Sequence, residues 1–218
     1  MIDIPELITI PVGSFIMGTG ADDRFANSTE RPAHEVVLSR PFSVGKFPVT
    51  EAQWSGFKGA GPVSPLPVVR VSWFDAQQYV EWLREQTNRP FRLLTENEWE
   101  YCCRAGSTTI FATGDDLAPT QANYLYDELG FKIGPGTRTP SGAYPVNAFG
   151  LEDMHGNVCE WVADAWHPSY AEPSVATARV IRGGAWDYLP RLLRSAWRDS
   201  ATPDVQRDNL GFRIACDL

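Results

Sequence analysis

The amino-acid sequence predicts a single α+β domain, rich in loops and held together by aromatic side chains. Three observations point there. The 218 residues reach the upper end of one domain and are enough to bury a sizeable core. Eight Trp, seven Tyr and eleven Phe stand beside 18 Gly and 17 Pro, which suits short elements joined by turns better than a helical bundle. Stretches of β-branched alternation and stretches with helical caps occur in separate parts of the chain. Apolar residues make up 43% of the sequence, which argues against disorder. No repeat, low-complexity tract or linker divides it, so residues 1–218 read as one domain.

Residues 7–17 (Leu-Ile-Thr-Ile-Pro-Val-Gly-Ser-Phe-Ile-Met) alternate and read as strand, turn, strand, followed by a polar loop over 19–31. Residues 34–38 and 42–47 read as two further short strands. Three helices come next. Thr50 caps one over 51–57. Ser72, with Asp75 three residues on, caps one over 73–86, where Trp73, Gln77, Val80 and Leu83 recur near the helical period. Thr95 and Glu98 form a capping box for 96–105, and Gly106 supplies a stop. Glu96 and Glu100 are i,i+4 neighbours and Glu98 is explained by capping, so these acids read as helix architecture, not as a catalytic pair. Residues 107–143 are irregular, a length usually functional or ligand-bound when ordered. Residues 179–186 read as a strand ending in a Gly183-Gly184 turn, and 209–215 as the closing strand.

Composition excludes several functions. A formal net charge of −8 does not suit nucleic-acid binding, which needs clustered Lys and Arg. No apolar run reaches the roughly 20 residues of a membrane span. Residues 1–17 lack the features of a secretory leader, so a cytoplasmic location is the default expectation, with display at a cell or phage surface left open. Cys102, Cys103, Cys159 and Cys216 show no zinc spacing and read as buried free thiols. His34 has no nucleophile or acid beside it and reads as structural.

The most informative stretch is 150–161. Asp153 and Glu160 flank a Gly156-Asn157 turn. Spacing alone leaves two readings open, a tight turn with solvated acids or a loop of hard oxygen ligands suited to Ca²⁺. The pattern Gly-Leu-x-Asp-Met-x-Gly-Asn-Val-x-Glu-Trp also resembles the signature of the formylglycine-generating-enzyme (sulfatase-modifying factor) family, whose fold is C-type-lectin-like. Gly13-x-Phe15-x-Met17-Gly18, Pro32-x-His34-x-Val36, Arg92-Leu93-x-Thr95-Glu96-x-Glu98-Trp99-Glu100, Arg182-Gly183-Gly184-x-Trp186 and Leu210-Gly211-Phe212-Arg213 extend the resemblance from about residue 8 to 216. It implies a structural Ca²⁺ held by Asp153, the Gly156 and Val158 carbonyls and Glu160. It also suggests a second ion at Asn123 and the Tyr124 carbonyl, for which Asp127 is the nearest candidate acid. Cys159 departs from the family's usual Trp.

The oxidases of the family hold copper with two thiolates, soft ligands that suit Cu(I). Counted from Gly183-Gly184, those positions are Tyr188 and Leu193, and no cysteine lies between Cys159 and Cys216. The resemblance therefore implies no copper and no oxidase chemistry. Related members that join sulfur to carbon at iron need many histidines, and this chain has only His34, His155 and His167.

Between the two motifs, Asp187, Tyr188, Leu189, Arg191, Leu192, Trp197, Asp199, Ala201, Val205, Arg207 and Asp208 are chemically miscellaneous. They are interleaved with framework-like Pro190, Leu193-Arg194-Ser195-Ala196, Arg198 and Thr202-Pro203-Asp204. This layout over 186–208 resembles the variable proteins of diversity-generating retroelements, which use the same fold. It implies a non-catalytic protein that binds another protein or a surface ligand. Tyr188, Arg191, Trp197 and Arg207 should then face outward, with Trp186, Leu193 and Phe212 in the core. The alternatives are an oxidoreductase with an atypical site and a structural member with a vestigial pocket.

Overall fold

The computed structural model describes residues 3–20 and 23–218. Its strands are β1 (Leu7–Ile10), β2 (Gly13–Met17), β3 (His34–Leu38), β4 (Phe42–Gly45), β5 (Phe91–Leu93), β6 (Cys159–Trp166), β7 (Val175–Arg182), β8 (Arg198–Ala201), β9 (Leu210–Phe212) and β10 (Ile214–Asp217). Its helices are α1 (Glu51–Lys58), α2 (Trp73–Thr87) and α3 (Glu96–Arg104). The fold is α+β, as the sequence indicates.

All three helices begin where their caps say. Thr50 with Gln53, Ser72 with Asp75 and Thr95 with Glu98 form reciprocal capping boxes, each satisfying two backbone donors that the first turn leaves free. The stop of α3 differs from expectation. Ala105 itself takes the left-handed cap at φ 45°, and Gly106 follows it. Helix α2 buries Ala76, Tyr79, Val80 and Leu83, an i, i+3, i+4, i+7 stripe; the Gln77 expected on that face sits beside it. Tyr79 meets Phe212 edge-on at 5.4 Å and stacks on Trp54 at 5.7 Å, so α1, α2 and β9 share one aromatic core.

One sheet has the order β1-β4-β10-β5, and a second has β8-β7-β6-β9 with β6 and β9 parallel; β2 and β3 form a separate hairpin. Strand β6 lies inside the second sheet, although the sequence offered only a loop leading into it. Its first four residues are buried, so it carries no alternation to read. The expected closing strand over 209–215 is two strands in two sheets, β9 beside β6 and β10 between β4 and β5. The chain changes sheets at Arg213. Its fully buried guanidinium donates to the carbonyls of Gly45, Lys46 and Glu152 and to the Glu160 carboxylate.

A second set of charges joins α3 to the second sheet. Arg198 grips both oxygens of Glu96 at 2.7 and 2.8 Å, while Arg182 and Arg104 converge on Glu100, which also accepts from the Gly18 amide. These five side chains are all buried. Glu96 and Glu100, read from sequence as helix architecture, are thus the negative half of an internal ion cluster, while Glu98 keeps its capping role.

Breaking one half of a buried pair costs roughly 3–5 kcal/mol, because the other charge is left without compensation. Arg213→Met should therefore lower unfolding free energy by that order in a urea titration, since Glu160 would keep only the Trp99 indole as donor.

Candidate functional site

The candidate surface starts where β7 ends. Gly183 and Gly184 turn the chain at φ 94° and 70°, and a Cβ on Gly184 would lie 2.5 Å from the Leu192 carbonyl. Only glycine permits this close return. A 3-10 turn over Pro190–Leu192 follows, then Leu193, Arg194, Ser195 and Ala196, all buried, which lead to Arg198 at the start of β8. Arg194 is the anchor of this return. Its guanidinium donates to both oxygens of Glu30 at 2.7 and 2.6 Å and to Asp23 at 2.6 Å. Nearby, the buried His155 imidazole donates to the Leu193 carbonyl at 2.7 Å and accepts from the Ala112 amide at 3.0 Å.

The interleaved residues fall mostly outside this pinned frame. Arg191 and Asp208 are exposed, and Asp187, Tyr188, Leu189, Leu192, Asp199, Ala201, Val205 and Arg207 are half-buried. Several are tethered. Asp187 accepts from Asn209 at 2.9 Å, Arg207 reaches Asp199 at 3.4 Å, and Arg191 donates through its amide and its guanidinium to Glu128. Tyr188, Leu192, Ala201 and Val205 also rest one side against the core.

Two expectations are corrected. Trp197 does not face outward; it is 7% exposed, joins the main core and meets Tyr188 edge-on at 5.7 Å. It sits directly before Arg198, and the buried bond from Arg198 to Glu96 pulls this end of the segment inward. Trp186, expected in the core with Leu193 and Phe212, is instead half-buried, and its indole nitrogen has no acceptor among the described residues. Glu128, Arg70 and Arg138 also border this face. Nothing in their local sequence marks them, because partners far along the chain bring them there.

No thiol is available for chemistry here. All four cysteines are free and buried. Burial pushes the Cys159 thiol well up, under Tyr188, and the Cys103 thiol up to about 12. Cys103 lies 3.7 Å from His155, whose burial lowers it to about 4, so the two meet as neutral groups and not as a thiolate–imidazolium pair.

The 150–161 loop is built around Gly156, where a Cβ would lie 2.3 Å from the Asn123 carbonyl, and around Asp153 and Asn157, both at positive φ. Asp153 is buried, accepts from the Asn157 amide at 3.0 Å, and is pushed up to about 6 by desolvation. It is a hard oxygen donor that burial leaves short of positive charge, which fits a cation. Glu160 differs. Both its oxygens accept from Arg213 and one accepts from Trp99 at 2.8 Å, so it is not a free ligand. Among the described residues no three His, Cys, Asp or Glu side chains gather as a metal site, so calcium here would draw on Asp153 and the Gly156 and Val158 carbonyls and share Glu160 with Arg213. At the second position, the Asn123 amide donates to the Thr137 carbonyl and to Asn157, while Asp127 accepts from Leu129 and Phe131 within its own turn. Both of these bonds use Asp127 Oδ1, and the Asn123 Oδ1 is buried with no donor among the described residues.

A two-sheet α+β scaffold carrying a long, pinned return of chain near its closing strands defines a protein of the C-type-lectin-like class. The Sulfatase-modifying factor enzyme 1-like domain matches residues 2–218, and the chain belongs to that family. It is 30% identical to the inactive C-alpha-formylglycine-generating enzyme 2 of Mus musculus, over 97% of this chain and 85% of that protein. It is also 36% identical to the mouse formylglycine-generating enzyme over 84% of this chain, which spans only 53% of that longer relative. Among solved structures, PvdO from Pseudomonas aeruginosa superimposes with a TM-score of 0.86 at 31% identity, covering 98% of this chain and 95% of that one. Treponema denticola variable protein 1 gives 0.83 at 22% identity, covering 97% and 95%, a likeness of fold. No helix among the described residues is long and apolar enough to cross a membrane.

Trp197→Ser should lower stability by roughly 3–5 kcal/mol, as truncation of a buried aromatic does, whereas Arg191→Ser should stay within about 0.5 kcal/mol. Thermal unfolding of the two variants beside the parent protein checks this.

Proposed function

We propose that this protein is a non-catalytic ligand-binding member of the family, displaying the 187–208 face as a diversified recognition surface toward a protein or surface ligand. One observation carries the reading, the separation within a single segment of a buried frame from an outer set. Leu193, Arg194, Ser195, Ala196 and Arg198 are at most 3% exposed and pinned by ion pairs and backbone bonds. Asp187, Tyr188, Leu189, Arg191, Asp199, Val205, Arg207 and Asp208 reach solvent around them. A rigid frame with side chains that can change without disturbing it is what a diversified surface requires. Tyr188 offers contact area with few rotamers to freeze, and Arg191 and Arg207 add directional donors.

The absence of a thiolate pair supports the same reading. The positions that hold copper in oxidases are Tyr188 and Leu193, and relatives named inactive exist in the family. Incubation with copper and a cysteine-containing peptide substrate should give no aldehyde above background by mass spectrometry.

Replacing Asp187, Tyr188, Leu189, Arg191, Asp199, Val205 and Arg207 together with Ser should keep a single cooperative unfolding transition and abolish binding to a ligand obtained by selection. A near-copy of the segment's coding DNA, differing mainly at adenines and lying beside a reverse-transcriptase gene, would support diversification. Collapse of the fold in the seven-residue variant would refute it.

Calcium is proposed as the stiffener of the 150–161 loop. Its addition should raise the melting temperature of the parent protein, since a ligand that binds only the native state stabilises it by mass action. Asp153→Ala should lose this response. Glu160→Gln should destabilise the protein with or without calcium, because its first partner is Arg213.

A further inference from the structure

Beside the proposed surface lies a cleft of about 410 Å³ whose walls include Glu51, Arg70, Arg138, Trp186 and Asp208. Arg138 forms a fixed wall. Its guanidinium donates to Glu51 at 3.1 Å and to the Pro67 carbonyl, and both charged side chains are largely covered. Arg70 is different. Its backbone takes φ 58°, unusual for a residue with a side chain, and its amide donates to the Arg207 carbonyl at 3.0 Å. This holds its guanidinium beside Asp208, which accepts a two-pronged contact while both side chains stay about 70% exposed. An exposed pair of this kind adds little stability, so either partner is easily exchanged. Trp186 completes the cleft wall, with its indole nitrogen buried on the protein side and without an acceptor among the described residues.

We infer that this cleft is a carboxylate-binding site in which Arg70 is the anchor and Asp208 a built-in competitor, with Trp186 in the wall beside them. The planar fork of arginine matches a carboxylate in two parallel bonds, as the Asp208 contact already displays. The inference rests on the proposed recognition surface in one respect. Asp208 belongs to the interleaved set, whereas Arg70 and Trp186 do not, so a change at 208 would expose a constant anchor for an acidic group of the bound partner.

The test is an NMR titration of the indole N–H of Trp186, identified by its loss in Trp186→Phe. N-acetylaspartate is the carboxylate probe and inorganic phosphate the comparison. In Asp208→Asn the Trp186 signal should move with N-acetylaspartate and saturate at a concentration at least about tenfold lower than in the parent protein. Adding Arg70→Gln should reverse that gain, and adding Arg70→Lys instead should keep a weaker response. A Trp186 signal that does not move in Asp208→Asn, or moves equally with Arg70→Gln in an otherwise native spectrum, overturns the site. Tighter binding of phosphate than of N-acetylaspartate overturns its carboxylate class. Retention of a selected ligand on the 187–208 face is measured separately, so either idea can fail alone.

Discussion

The Glu160–Arg213 pair is the constraint on which the rest of this structure depends. Glu160 lies in β6, opposite Arg182 of β7 on one side and Gly211 of β9 on the other. Arg213 sits at the single residue where the chain leaves one sheet for the other. Its remaining donors reach Gly45, Lys46 and Glu152, so one guanidinium ties the end of β4, the entry to the 150–161 loop and both closing strands. Charges taken so far from water survive only when every donor and acceptor is matched. That requirement fixes the relative placement of the two sheets more sharply than apolar contact, which is indifferent to register.

Arginine does the same work elsewhere in the fold. Arg182 and Arg198 fasten α3 to the second sheet, and Arg194 fastens the 183–198 return to the loop holding Glu30. The outer residues of that return therefore sit on a framework whose stability is supplied from behind. An outer side chain of the return can change without removing a partner from any of these pairs. Trp197 marks the inner limit of such freedom.

Much of this was legible in the sequence where the cause is local. The three helices follow from Thr50, Ser72 and Thr95 with their reciprocal partners, because a cap is satisfied within four residues. The short strands over 7–17 and 34–38 follow from β-branched alternation. Strand β6 was not legible, since burial on both faces removes the alternation that would announce it. Nor was the break at Arg213, where a single strand-like run over 209–215 hides a change of sheet. At the site, the buried frame from Leu193 to Ala196 was readable as framework, but Trp197 and Trp186 exchanged their expected places. Both are aromatic residues next to anchors, and which way each turns depends on Arg198 and on distant loops. Arg70 and Arg138 were silent in the sequence for the same reason.

The placement of β10 between β4 and β5 has a consequence for how the chain is made. The first sheet cannot close until residues 214–217 arrive between strands made much earlier, and the second waits for 210–212. Contacts that span so much chain form slowly and leave open strand edges exposed meanwhile. During synthesis the 187–208 segment emerges before either sheet is sealed. The segment is therefore enclosed only when strands formed after it pair with strands formed long before.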